Sequence, residues 1–167
     1  MSREYVEALL VQYKNKGVLV DANLLLLFFV GLYDRGRIST FKGTKTFTAQ
    51  DFELLKVLFS YFSRVMTTPN ILTEVSNLSN QLRENEKERF YSEFASGASR
   101  FHENYTSSAE ICETEHFKKF GLTDSGIIAM VTGQYLVLTD DFKLSNYLQN
   151  AGVDAINFNH IRVLNWR

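Results

Sequence analysis

Carboxylate side chains stand where apolar runs of the chain give way to polar ones. Asp21 directly follows the apolar residues 18–20, and Asp140 and Asp141 come just after the apolar run 135–138. In an open parallel sheet, functional sites gather beyond the carboxyl ends of the strands. We therefore expect these aspartates to lie together at one edge of a sheet.

Grouped carboxylates repel one another, and this repulsion raises their pKa values. A hard divalent cation removes the repulsion, and Mg²⁺ and Mn²⁺ prefer oxygen ligands of this kind. Such an ion activates water and stabilises the charge that develops at a phosphodiester. The chemistry that this set of residues predicts is metal-dependent hydrolysis.

Two further acidic residues belong to predicted helices. Glu74 lies three residues from Ile71 and four from Leu78, at the edge of its helix's apolar stripe rather than on the solvated face. Asp124 lies in the first turn of its helix, where negative charge is favoured. Each acidic residue also has an ordinary explanation, as a turn or cap residue for the aspartates and as a salt-bridged side chain for Glu74. The prediction therefore depends on the whole set.

The elements that must position these residues follow from apolar periodicity and capping residues. Thr48 and Asp51 predict a capping box, and Thr68 followed by Pro69 begins another helix. Short apolar strands alternate with helices, which indicates a parallel α/β sheet covered on both sides. The predicted helices are 4–14, 24–32, 49–63, one from Pro69, two within 81–119 that break near Ser96-Gly97, 124–133 and 142–150. The predicted strands are 18–20, 65–67, 135–138 and 155–158.

Four segments of the chain, in order, resemble the four acidic motifs of PIN domains. They are VLVDANLL at 18–25, TPNILTEV at 68–75, GLTDSGII at 121–128 and LTDDFKL at 138–144. Each motif alone is weak, whereas four in order, with matching strand and helix context, are fairly specific. The resemblance spans 18–148, most of the chain.

The resemblance implies a three-layer α/β/α sandwich with a central, mostly parallel sheet, and a nuclease that uses Mg²⁺ or Mn²⁺, usually on RNA. The metal-binding and catalytic carboxylates that it implies are Asp21, Glu74, Asp124 and Asp141. Asn23 and Thr139 would orient them by hydrogen bonds. Asp140 fills the variable place of the fourth motif, so we rank it below Asp141 as a metal ligand, although it could assist.

Family members often form homodimers, and some are toxins that an antitoxin protein inhibits. The resemblance therefore implies two kinds of partner as expectations, a second copy of the chain and an antitoxin-like inhibitor. Residues 33–48 and 81–119 make this chain longer than the compact toxins, which weakens the toxin interpretation. The chain keeps all four acidic positions, and this favours an active enzyme over a degenerate family member.

The predicted loop 33–47 is rich in basic residues with aromatic residues between them. These side chains could hold single-stranded RNA through phosphate contacts and base stacking, and a solvated loop explains the composition at least equally well. RNA is favoured over DNA only by family tendency. The predicted nucleic-acid-binding residues are Arg35, Arg37, Lys42 and Lys45, and the interleaved aromatic residues are Tyr33, Phe41 and Phe47.

The 167 residues suit one compact domain, and no linker or repeat divides them, so we expect a single domain over 1–167. The hydrophobic fraction of 45% argues against disorder, and the net charge of −1 means that any basic face must be local. One cysteine and three scattered histidines give no zinc-ligand spacing. The longest apolar run, 24–30, is too short to span a membrane, and a cytoplasmic protein is the expectation.

Two other functions stay open. One is a PIN-like scaffold that binds RNA or a protein without cutting it. The other is a phosphoryl-transfer enzyme with Asp21 as nucleophile. This last interpretation is the weakest, because such enzymes typically need a second acid or hydroxyl near the nucleophile and a lysine late in the chain. Asn23 occupies the nearby position here, and no lysine stands just after a late strand.

Overall fold

A five-stranded parallel sheet lies at the centre of the molecule, in the strand order β3-β2-β1-β4-β5. The computed structural model describes residues 2–131 and 133–163. The strands are β1 (Val18–Val20), β2 (Val65–Thr67), β3 (His102–Glu103), β4 (Leu136–Thr139) and β5 (Ala155–Asn157). The predicted parallel sheet is therefore confirmed.

Helices flank the sheet to form a three-layer α/β/α sandwich, which confirms the predicted fold class. The helices are α1 (Arg3–Tyr13), α2 (Ala22–Tyr33), α3 (Ala49–Tyr61), α4 (Pro69–Ser79), α5 (Glu84–Ala98), α6 (Ser108–Cys112), α7 (Phe117–Met130), α8 (Phe142–Asn150) and α9 (Phe158–Arg162). α2 packs against α3, α4 and α5, whereas α8 packs on β4 and β5. Across the described ranges, no helix is both long and apolar enough to cross a membrane.

The central strand β1 fixes the geometry of the site. Its residue Leu19 pairs with Met66 on one side and with Val137 on the other, and every residue of β1, β2 and β4 is buried. Because all strands run in one direction, the residues that follow them meet at one end of the sheet, which we term the carboxyl edge. The residues that precede the strands lie at the opposite end, the amino edge.

Capping residues begin the helices where the sequence predicts. The backbone N–H of Thr48 donates to the Asp51 carboxylate at 2.7 Å, and the Thr48 hydroxyl accepts from the Asp51 N–H at 3.2 Å, which completes the capping box. The Thr68 hydroxyl accepts from the N–H of Ile71 at 3.2 Å, and Pro69 is the first residue of α4. Both predicted helix starts are confirmed.

The predicted break at Ser96-Gly97 is wrong, because α5 continues through both residues to Ala98. Gly97 serves packing instead. A Cβ at this position would stand 2.4 Å from Cε1 of the buried Phe29 ring, so the glycine lets α5 approach α2 closely. The segment after α5 holds the strand β3, which was not predicted, and the short helix α6, which is all that forms of the second helix predicted there before α7 begins.

Two other boundaries differ from prediction. α7 begins at Phe117 rather than at 124, and it bends at Gly121, whose φ of 73° and ψ of −170° are not helical. The predicted strand 155–158 ends at Asn157, whose side chain caps the unpredicted helix α9. Asp124 still lies in the first turn after the bend, as the sequence predicts.

Candidate active site

Asp21 is the central residue of the carboxyl edge. It follows β1 and caps α2, where one carboxylate oxygen accepts from the N–H of Leu24 at 2.9 Å. The other oxygen accepts from the hydroxyl of Thr139 and from the N–H of Asp140 at 3.0 Å. Asp21 is only 6% exposed, so these bonds hold its carboxyl group rigidly between β1 and β4.

The position is electrostatically unfavourable for a carboxylate. Burial, together with the negative charge of Asp140, raises the pKa of Asp21 from its ordinary value to about 8. The hydrogen bonds from Thr139, Leu24 and Asp140 act in the opposite direction, but they do not compensate. The fold therefore holds an acidic group where burial and a neighbouring negative charge disfavour its charged form.

Asp140 is more closely integrated than its variable place in the fourth motif implies. The side-chain amide of Asn23 donates to its carboxylate at 3.1 Å, and the side-chain amide of Asn159 donates to its backbone carbonyl at 3.1 Å. Asn23 therefore orients Asp140, the acid that the motif resemblance ranks below Asp141. Thr139 contacts both neighbours, because its hydroxyl donates to Asp21 and accepts from the N–H of Asp141 at 3.0 Å.

Asp141 has a structural task as well. One of its carboxylate oxygens accepts from the N–H groups of Lys143 at 2.6 Å and Leu144 at 3.0 Å, and so caps α8. The side chain is exposed. The other carboxylate oxygen takes no part in this cap.

A second group of acids centres on Asp124. Burial raises its pKa to about 6, and the negative charges of Asp141 and Glu74 add to the increase, whereas the ammonium group of Lys143 opposes it. The three carboxylates come from α7, the start of α8 and α4, which are separate elements. All five predicted acidic positions therefore belong to two electrostatically coupled groups, one around Asp21 and one around Asp124.

The donor chemistry of these groups fits a hard divalent cation, because it consists of carboxylate oxygens whose charges oppose one another. A buried hydroxyl next to Asp124, that of Ser125, has no hydrogen-bond partner within the described residues. Across all of the described residues, however, no three His, Cys, Asp or Glu side chains lie close enough together to form a ready-made metal site. The acids therefore lie as two neighbouring groups rather than one closed cage.

A basic and aromatic cluster adjoins the Asp124 group, and sequence reasoning missed it. The ammonium group of Lys143 lies 4.8 Å from the centre of the Phe120 ring and donates to the carbonyl of Lys119 at 2.7 Å. The ammonium group of Lys119 lies 5.2 Å from the ring centres of both Phe120 and Tyr147. Lys143 stands inside the fourth motif, so its spacing of two residues from Asp141 was the available signal.

Asn159 was missed for a different reason, since the helix that carries it was not predicted. The Asn159 side chain accepts from Arg162 at 3.2 Å, and Arg162 also donates to both carboxylate oxygens of Asp51, at 2.9 and 2.7 Å. A further bond joins Arg162 to the carbonyl of Thr46 at 3.1 Å. This network connects α9 to the first turn of α3, and its member Asn159 contacts Asp140.

The structure contradicts part of the predicted nucleic-acid loop. Phe41 and Phe47 are 2% and 3% exposed and pack in the core, so they offer no surface for base stacking. The guanidinium groups of Arg35 and Arg37 pair with Glu53 at 2.8 Å and with Glu86 at 3.1 Å. Tyr33 is buried too, and only the two lysines of the prediction, Lys42 and Lys45, are exposed without an ion pair in the described part of the chain.

Comparisons of the chain with protein-family models, with curated proteins and with solved structures found no match. The site is therefore interpreted from its own geometry and from the motif resemblance.

Proposed function

We propose that this chain is a metal-dependent nuclease of the PIN type, which hydrolyses phosphodiester bonds with the help of Mg²⁺ or Mn²⁺. The observation that carries the proposal is the buried Asp21, whose pKa is raised to about 8 by burial and by the charge of Asp140. A fold that only needed a helix cap would be more stable with a neutral residue there. Perturbed carboxyl groups in such a position are typical of functional sites.

The acidic residues are assigned to cation binding. Asp21 and Asp140 on one side, and Asp124, Asp141 and Glu74 on the other, would hold the cation. When bound, the ion supplies an activated water and neutralises the charge that develops on the phosphate. Asp21 must release its proton to bind a cation, so binding of the ion and loss of that proton are coupled.

The hydrogen bonds around Asp21 define what the protein itself contributes. Thr139 and the N–H of Asp140 fix one carboxylate oxygen, and Leu24 fixes the other, so the group is held in place before any ion arrives. Asn23 fixes the Asp140 side chain in the same way. Such preorganisation removes the need to reorient these carboxylates during the reaction.

Nucleic acid is the proposed substrate because of the basic side chains next to the acids. Lys119 and Lys143 can approach phosphate groups, and the half-buried rings of Phe120 and Tyr147 lie beside them. Cations interleaved with aromatic rings are typical of surfaces that hold single-stranded nucleic acid. RNA is proposed over DNA on the motif resemblance alone.

The test is a cleavage assay on labelled single-stranded and structured RNAs and DNAs, with Mn²⁺, with Mg²⁺ and with EDTA. Wild type is compared with Asp21→Asn and with Asp34→Asn, which changes an exposed aspartate at the other end of α2. We expect metal-dependent cleavage by wild type and by Asp34→Asn, and its loss in Asp21→Asn.

Equal cleavage by all three proteins would contradict the proposed site. Metal binding that is lost in Asp21→Asn, without cleavage of any substrate, would indicate an inhibited or highly selective nuclease. Absence of both cleavage and metal binding would favour a PIN-like scaffold that holds RNA or a protein without cutting it. Isothermal titration with Mn²⁺ on the same three proteins separates these outcomes, because it reports the ion independently of turnover.

A further inference from the structure

A cavity of about 400 Å³ opens at the amino edge of the sheet, at the opposite end from the acidic groups. Val65 and His102, the first residues of β2 and β3, lie in its wall together with Ser63 and Arg64, which precede β2. We term it the amino-edge pocket. Its volume falls within the range typical of sites for small organic ligands.

Aromatic rings form the apolar wall of the amino-edge pocket. The Phe28 ring centre lies 4.8 Å from that of Phe59 and 6.1 Å from that of Phe101, and the last two are also 6.1 Å apart. All three rings are only partly buried, although each packs on the core. They leave ring surface open to a ligand, and aromatic ligands bind such surfaces in stacked or edge-on contacts.

The rim of the pocket is basic. Lys56, Arg64 and Arg100 line it, and the described residues of its wall include no Asp or Glu. Arg64 and Arg100 are exposed, and the guanidinium group of Arg100 is steadied by bonds to the carbonyl and hydroxyl of Ser96 at 3.1 and 3.3 Å. The ammonium group of Lys56 is already paired with Glu53 at 3.2 Å, so the two arginines are the groups available to an anion.

We propose that the amino-edge pocket binds an aromatic organic anion, a planar ring system that carries a carboxylate, sulfonate or phosphate group. The ring system would lie against Phe28, Phe59 and Phe101, and the anionic group would meet Arg64 and Arg100. Guanidinium groups suit all three anions because their planar N–H groups match paired oxygens. This inference is independent of the proposed nuclease activity.

The experiment uses two fluorescent probes that differ in one group. Anilinonaphthalene sulfonate is an aromatic anion, and phenylnaphthylamine is the same ring system without the sulfonate. Fluorescence titration of the full chain should give one site that prefers the anionic probe by about tenfold, the ratio that corresponds to ~1.4 kcal/mol. Phenyl phosphate should displace the anionic probe, and decanoate, an alkyl anion, should displace it more weakly.

Variants assign the site. Arg64→Gln combined with Arg100→Gln should weaken binding of the anionic probe about tenfold and leave binding of the neutral probe unchanged, because the charges that meet the anion are removed while the aromatic rings stay. Phe101→Leu should weaken both probes. Lys42→Gln, at an exposed lysine that does not line the pocket, is the matched control and should change neither.

Three results would overturn the inference. They are equal affinity of the two probes in wild type, an anionic affinity that survives loss of both arginines, and stronger displacement by decanoate than by phenyl phosphate. Thermal melting of each variant accompanies the titrations, so that probe binding to unfolded protein is recognised. Because Arg64 and Arg100 are exposed, their replacement should leave the melting temperature unchanged.

Discussion

The acidic groups at the carboxyl edge and the amino-edge pocket carry opposite charge. At the carboxyl edge, acidic side chains raise one another's pKa values around Asp21 and Asp124. At the amino edge, arginines surround an aromatic pocket that contains no acid among its described wall residues. β1 has three residues, and a strand of that length spans about 10 Å, so a thin apolar layer separates the negative charge of the acidic groups from the positive charge of the pocket. The net charge of −1 reveals neither of these local charges.

The largest expected effects concern the independence of the two sites, which variants at each site test with both readouts, cleavage and probe binding. Asp21→Asn should lower metal-dependent cleavage on the order of a hundredfold or more, since it removes a fixed charge at the reacting centre. It should leave binding of anilinonaphthalene sulfonate unchanged. The double variant at Arg64 and Arg100 should show the reverse. Cleavage rates and probe titrations on the same preparations measure both, and a variant that changes both readouts equally would show that the ends are not independent.

The second prediction concerns stability and pH in EDTA. The unfolded chain releases the Asp21 proton near pH 4, whereas the folded chain retains it until about pH 8. The folded state therefore binds more protons in this interval, and the free energy of unfolding should fall as the pH rises through it, by up to about 1.4 kcal/mol per pH unit. Above pH 8 this contribution should level off.

Urea denaturation between pH 5 and 9 measures the slope. Asp21→Asn should flatten it, and saturating Mg²⁺ should also flatten it because the ion stabilises the charged form. Asp34→Asn should keep the wild-type slope. If the free energies of unfolding of wild type and Asp21→Asn changed with pH by the same slope, the raised pKa of Asp21 would be refuted.

A third prediction compares two glycines, one near each end. Gly97→Ala should destabilise the fold by about 1–3 kcal/mol, because its Cβ would meet the buried Phe29 ring. Gly121→Ala should cost about 1–3 kcal/mol through the backbone alone, because nothing lies within 4 Å of the new Cβ, whereas a φ of 73° with a ψ of −170° is a conformation that essentially only glycine adopts. Denaturation curves distinguish them, and a larger loss at Gly121 would show that backbone conformation outweighs packing.

The smallest effects should separate two sets of basic residues. Lys143→Met should lower cleavage about tenfold at low salt and reduce the salt dependence of nucleic-acid binding by roughly one unit of slope, since it removes one phosphate contact. Arg35→Gln should change cleavage less than about twofold, because Arg35 pairs with Glu53. Equal effects of the two substitutions would restore the 33–47 loop as the nucleic-acid surface.

The buried strands could be predicted because short apolar runs mark them, and the predictions at 18–20 and 65–67 match β1 and β2. β3 could not be predicted, since both of its residues are exposed and only their pairing with Met66 and Thr67 makes them a strand. The five-residue helix α9 is likewise too short to give a periodic pattern.

The approximate location of the candidate site follows from the sequence, whereas its contacts do not. Parallel strands bring Asp21 and Asp140 to one edge in any such fold. That Asn23 bonds to Asp140, and that Lys143 lies beside Asp124, depends on side-chain conformations which no spacing rule gives. The burial of Phe41 and Phe47 was missed for a similar reason, because a polar loop composition does not report which rings fold back onto the core.

The strand order has a consequence for how the chain folds. Because β1 pairs with β4, the N–H of Asp140 reaches Asp21 across 119 positions of sequence. β1, β2 and β3 come from the first 103 residues, and β4 and β5 come from the rest. Contacts of such long range form slowly, since the loop-closure entropy is lost before the contact is gained. The carboxyl edge should therefore be completed late in folding, and in a chain still being synthesised Asp21 and Asp140 should meet only after β4 has emerged and docked.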